Sequence, residues 1–147
     1  MADDQILIDH ARLIADQYDA LGKRDAKACY AYAVGGDGSA KALDYLDTDL
    51  KGRELRLSER ILASAPTHRN APKARELDTL YTRIFQTLVA RYGDTDTRLL
   101  VEPTKVKPAD YASYCTVAAG MFREIARLPE AGSLLSVMFK DVASNAK

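Results

Sequence analysis

The stretch from Pro72 to Gly93 constrains the chain most. Leu77, Leu80, Tyr81, Ile84, Phe85, Leu88, Val89 and Tyr92 recur at alternating steps of three and one. At about 100° per residue this pattern covers roughly half the circumference of an α-helix, more than the stripe a surface helix needs. A helix apolar over so much of its surface must touch two or more neighbours. The pattern therefore predicts a bundle built around a central helix at about 72–93. Its ends are marked: Pro72 suits a first helical turn, Glu76 and Asp78 suit the positive N-terminal end, and Arg91 with Gly93 suits the C-terminal end.

The rest of the chain reads as further helices. From about Asp4 to Gly22, Leu7, Ala11, Ile14, Tyr18 and Leu21 make a narrow seam for one partner, with Asp9, Arg12, Asp16 and Asp19 placed for solvent. A short helix from about Asp25 is ended by Gly35-Gly36-Asp37-Gly38, whose glycines can take left-handed conformations. Ser39 can cap a third helix that buries Leu43 and Leu46. Thr48 or Asp49 can cap a fourth, running to about Ala65 before Pro66, with Leu57, Ile61 and Ser64 inward and Leu50, Leu62 and Ala65 at the margins of that side. Asp94 to Thr97 reads as a turn, and Leu99 to Lys107, holding Pro103, as a connecting loop. A helix from about Pro108 to Leu128 would turn inward Tyr111, Tyr114 or Cys115, Ala118, Met121 or Phe122, and Ile125. A last one runs from Pro129 to about Ala143. The expectation is an all-α fold of six to seven helices, with residues 1–147 as one domain, a length sufficient for its own core.

Charge narrows the function classes. The net charge is zero, so there is no global electrostatic case for nucleic acid or an anionic membrane. The distribution is uneven: residues 1–50 carry five basic and ten acidic side chains, and residues 51–92 carry nine and four. Mutual attraction of these two regions within the fold is the plain reading. No apolar run approaches the ~20 residues of a membrane span. The start Met1-Ala2-Asp3-Asp4 lacks a signal-peptide layout, so the chain reads as cytoplasmic at face value. The same start would arise from a processed exported protein, and a disulfide would then place it in the periplasm or outside the cell.

The two cysteines, Cys29 and Cys115, both sit among tyrosines: Tyr30 and Tyr32 beside the first, Tyr111 and Tyr114 beside the second. If the fold brings them together, one disulfide closes a long loop and implies an oxidising compartment. The alternative is two separate buried thiols behaving as small hydrophobes. Neither has a basic sequence neighbour that would make it a reactive thiolate. The four tyrosines, with apolar rings and polar tips, are the candidate binding-site cluster.

Other motifs are weaker. His10 and His68 lack metal-ligand spacing and read as surface histidines. Gly35 to Lys41 has glycines and a lysine, but not the spacing or preceding strand of a phosphate loop. Asp94 and Asp96 would begin a calcium loop whose twelfth position is Lys105, where a bidentate Glu is required. No metal or cofactor is expected. Arg53, Arg56 and Arg60 line one face of the fourth helix, and Arg69, Lys73 and Arg75 extend the basic character. Such a stripe can meet phosphates or an acidic partner, although Glu54 and Glu59 are interleaved and no aromatic residue is mixed in.

No catalytic spacing survives, and enzymatic activity is left open. The first expectation is a non-enzymatic helical interaction protein, adaptor- or immunity-like, binding another protein or a second copy of itself. The alternatives are a small-ligand binder or enzyme with an inter-helix pocket near the tyrosines and cysteines, and a binder of nucleic acid or an acidic partner through Arg53 to Arg75. Nucleic acid ranks last because the chain is not basic overall.

Overall fold

The computed structural model describes residues 3–35, 39–64 and 70–145, with 39–40 and 141–145 described by backbone alone. It is all-α, and no strand occurs among the described residues. The long helices are α1 (Asp4–Arg24), α2 (Ala26–Val34), α4 (Thr48–Ala63), α5 (Ala74–Tyr92), α7 (Tyr111–Arg127) and α8 (Ala131–Asn145). Between them lie the single turn α3 (Ser39–Ala42) and the five-residue α6 (Asp94–Arg98). Short 3-10 turns follow at Leu43–Tyr45, Pro103–Lys105 and Pro108–Asp110.

Aspartates start three of the helices. Asp3 accepts a hydrogen bond from the Ile6 amide (2.8 Å), Asp25 from the Lys27 and Ala28 amides, and Asp47 from the Leu50 amide (2.9 Å). Each satisfies amides that an isolated helix end leaves unpaired. The cap of α4 is thus Asp47, one residue before the predicted Thr48 and two before Asp49. Gly35 ends α2 in the left-handed conformation expected of it, at φ 73°. Gly36 to Gly38 lie outside the described residues.

The helix at 72–93 forms as predicted, but it is not the most enclosed element. α5 buries Leu80, Ile84 and Leu88, while Tyr81 faces outward and Phe85 and Val89 are half-buried. The packing centre is the pair α1 and α7. α7 buries nine residues and lies against α1, α2, α5, α6 and α8. α1 lies against α7, α8, α2 and α4. Its buried set is Ile6, Leu7, Ala11, Leu13, Ala15, Gln17, Tyr18 and Leu21, far broader than a seam for one partner. Small residues account for the difference. Ala118, Ala119 and Gly120 on α7, with Ala11 and Ala15 on α1, score weakly in a hydrophobic pattern yet let neighbouring backbones approach closely. At Gly120 the approach is by the Tyr92 ring from α5, and at Gly132 by the Asp4 carboxylate from α1.

Other local expectations shift as well. Leu46 is buried but Leu43 is exposed, because the chain leaves α3 through a 3-10 turn instead of continuing an α-helix. On α4 only Leu50 and Leu57 are buried; Ile61 is largely open. The segment Leu99–Lys107 contains a 3-10 turn at Pro103–Lys105, and the predicted turn at Asp94–Thr97 is the helix α6. No helix among the described residues is long and apolar enough to cross a membrane.

Candidate functional site

Two constellations hold the chemistry singled out in the sequence. The first joins α2 to α7. Cys29 and Cys115 are both fully buried, with sulfurs at bonding distance and Cα atoms 6.4 Å apart, within the usual disulfide range. Gly22 of α1 faces the same point, where an added Cβ would stand 3.5 Å from that of Cys115. Beside the sulfurs, Tyr30 stacks on Tyr111 at 4.1 Å and 11°, and meets Tyr114 edge-on at 5.4 Å. The Tyr30 hydroxyl donates to the Pro103 carbonyl at 2.6 Å. Tyr18 meets Tyr32 and Phe122 edge-on at 6.0 and 5.9 Å. Burial pushes the Tyr114 hydroxyl up to about 12, and its neighbour Tyr30 adds to the shift. Burial raises Tyr18 and Tyr32 in the same direction, Tyr32 with help from the Glu54 carboxylate. Tyr30, Tyr111 and Tyr114 therefore form one cluster, and Tyr32 packs instead against Tyr18. Their rings are spent on one another and their geometry is that of packed aromatic pairs.

A buried polar relay continues from Tyr32 toward α4. Gln17 is 0% exposed, donates to Glu54 at 2.7 Å and accepts from the Tyr32 hydroxyl at 3.1 Å. Both ends of the amide are satisfied, as a buried polar side chain requires. His10, read from sequence as a surface residue, is instead packed on Phe139 of α8, ring centroids 4.7 Å apart. Burial lowers its pKa, and the Glu54 carboxylate opposes that shift. Gln17 escapes a hydrophobic pattern because it is polar. The available signal is its register: it stands four residues after Leu13 and four before Leu21.

The second constellation lies between α1 and α4. Arg53 reaches Asp16 at 2.8 Å, and Arg60 reaches Asp9 at 2.8 Å. The acidic N-terminal region and the basic middle region thus meet directly. From α7, Arg123 completes the group, bonding Asp16 at 2.9 Å and Asp19 at 2.6 Å. Burial alone would raise the Asp9 and Asp16 carboxyls, but the arginine hydrogen bonds and charges hold both below their ordinary value. Arg53, Arg56 and Arg60, with Asp9 and Arg12, line a cleft of about 350 Å³ floored by Leu13 and Leu57. Arg75 lies elsewhere, in a depression of about 950 Å³ between the start of α5 and the α7–α8 corner, where Arg83 pairs with Glu130. The stripe is therefore divided. His68 and Arg69 fall outside the described residues.

No three histidine, cysteine or acidic side chains among the described residues are grouped to hold a metal ion. Asp94, the start of the rejected calcium loop, instead bonds Arg98 within α6 at 2.6 Å. On the far side of α4 a third feature appears. Leu62 is 86% exposed and Leu55 62%, two helical turns apart on one side. Compared with protein-family models, curated proteins and solved structures, the chain matches none.

Proposed function

We propose that the chain is a non-enzymatic interaction protein that docks a partner protein through the outward side of α4. The observation that carries this reading is the exposure of Leu55 and Leu62 in register on a helix whose opposite side, through Leu50 and Leu57, anchors it to the bundle. Lys51 stands one turn before Leu55 on the same side and has no carboxylate partner among the described residues. An amphipathic acidic helix, with apolar side chains at two-turn spacing and carboxylates beside them, complements such a surface. The aromatic residues offer less to a ligand, since their rings pack against one another and the Tyr30 and Tyr32 hydroxyls are already bonded within the fold. The Cys29–Cys115 pair further supports an oxidising compartment as the place of work.

The test uses a synthetic helical peptide with leucines seven residues apart and glutamates beside them, titrated into isotope-labelled protein. Shifts concentrated on α4, abolished by the double change Leu55→Glu and Leu62→Glu, support the reading. Absence of α4 shifts at about millimolar peptide overturns it. So does a dimer in sedimentation experiments that the same double change dissolves, since the surface would then serve self-association.

A further inference from the structure

The cleft between α1 and α4 has a charge imbalance that the fold does not resolve. Four guanidinium groups, from Arg12, Arg53, Arg56 and Arg60, converge on about 350 Å³, and among the described residues Asp9 is the one carboxylate lining it. Asp9 is already engaged, accepting from Arg60 and from the Gln5 amide, both at 2.8 Å. Arg12 stands 3.9 Å from it, beyond hydrogen-bond reach. Arg53 is held by Asp16, which it shares with Arg123. Arg56 has no acidic partner among the described residues. It lies over Gly52, one turn earlier, where an added Cβ would stand 3.2 Å from its Nη1.

The arrangement has the parts of an oxyanion site. Two arginines are fixed by carboxylates, Arg53 by Asp16 and Arg60 by Asp9, and two present unoccupied donors. The floor, Leu13 and Leu57, is buried and apolar, and a low-dielectric wall strengthens the field in the cleft above it. Guanidinium forks match tetrahedral oxyanions by paired hydrogen bonds, which ammonium groups do not. The volume is at the small end of the range for ligand sites. We propose that this cleft binds a small phosphate-type oxyanion, with Arg12 and Arg56 as the principal donors and Arg53 and Arg60 as pre-positioned supports. The site is separate from the leucine surface of α4, so either can fail without the other.

Calorimetry at about 10 mM ionic strength, where screening is weak, tests it with inorganic phosphate, pyrophosphate and glucose 6-phosphate. Saturable binding is expected, weakened about tenfold or more by Arg12→Ala with Arg56→Ala and unaffected by Arg91→Ala, which pairs with Glu124 outside the cleft. Gly52→Leu, which alters no charge but fills the resting place of Arg56, should also weaken binding. Equal affinity for phosphate and glucose 6-phosphate identifies the free ion as the ligand; tighter binding of the ester identifies a phosphorylated small molecule. The proposal is overturned if no saturable binding appears at about 1 mM of any of the three. It is equally overturned if chloride at matched ionic strength displaces them completely, or if the double arginine variant, folded by circular dichroism, binds as the parent does.

Discussion

The ring of Tyr92 lies directly against Gly120, so that a Cβ at residue 120 would stand 2.6 Å from the ring carbon Cε2. Through this contact the C-terminal end of α5 seats on the middle of α7. Gly120→Ala gains up to about 1 kcal/mol of helix propensity but forces the ring aside, an overpacking cost of about 1–3 kcal/mol. The expected outcome is a net loss of stability in urea unfolding. In the Tyr92→Ala background the same change should become stabilising, because only the propensity gain remains. A loss that persists there would place the clash elsewhere.

The disulfide should dominate the response to reducing agent. Cys29 and Cys115 are 86 positions apart, and a loop of that length corresponds to about 4–5 kcal/mol in the chain-entropy model. Denaturant midpoints with and without a reductant should differ accordingly, and Cys29→Ala with Cys115→Ala should be insensitive to it. Thiol counting on unreduced protein provides the direct check: two free thiols would contradict the bonded pair.

Stability should fall on both sides of neutrality for separate reasons. His10 has a lowered pKa in the fold, so as pH falls through its ordinary 6.5 the unfolded chain takes up the proton first. The stabilisation is complete above that value and declines below it. Asp9 and Asp16 add a second loss lower down, as pH falls past their ordinary 3.8 toward their lowered folded values. On the alkaline side, Tyr114 ionises near 10 in the unfolded chain but at about 12 in the fold, so stability declines as pH rises through that window. Urea midpoints across pH would show this, and His10→Gln should flatten the limb just below 6.5. An unchanged limb in that variant would remove His10 as its origin.

Asp16 links three helices, holding Arg53 of α4 and Arg123 of α7 from its place on α1. These side chains are about a third or more exposed, so solvent screens the pairs and each contributes less than about 1 kcal/mol. Asp16→Asn should lower the melting temperature modestly in dilute buffer. In about 1 M salt, where the screening length is about 3 Å, the variant and parent should converge. A gap independent of salt would point to packing in place of charge.

What the sequence made legible follows the reach of each interaction. Helix existence and approximate ends were readable because caps and periodicity act over one or two turns, as with Gly35 and the 72–93 pattern. The meeting of acidic and basic regions was readable from charge alone. The identity of the packing centre was not: Ala118, Ala119 and Gly120 carry little hydrophobic signal, and their burial depends on what other helices bring to them. Arg12 is solvent-facing as its register implies, but its place at the cleft was not legible, since that depends on α4 crossing α1. His10 was misplaced for the same reason, because Phe139 stands 129 positions away in the chain. The two cysteines stand together as one of the two sequence readings allowed, but spacing could not distinguish an open pocket from closed aromatic packing among the tyrosines beside them.

The bond between α2 and α7 also sets a rule for maturation. Within these 147 residues two cysteines allow one intramolecular pairing. Cys29 must wait as a free thiol until the stretch bearing Cys115 has been made and brought into reach. Any error in that interval is a link between two molecules, not a wrong loop within one. Yield of the oxidised form should therefore depend on how crowded the newly made chains are, and little on the supply of a disulfide isomerase.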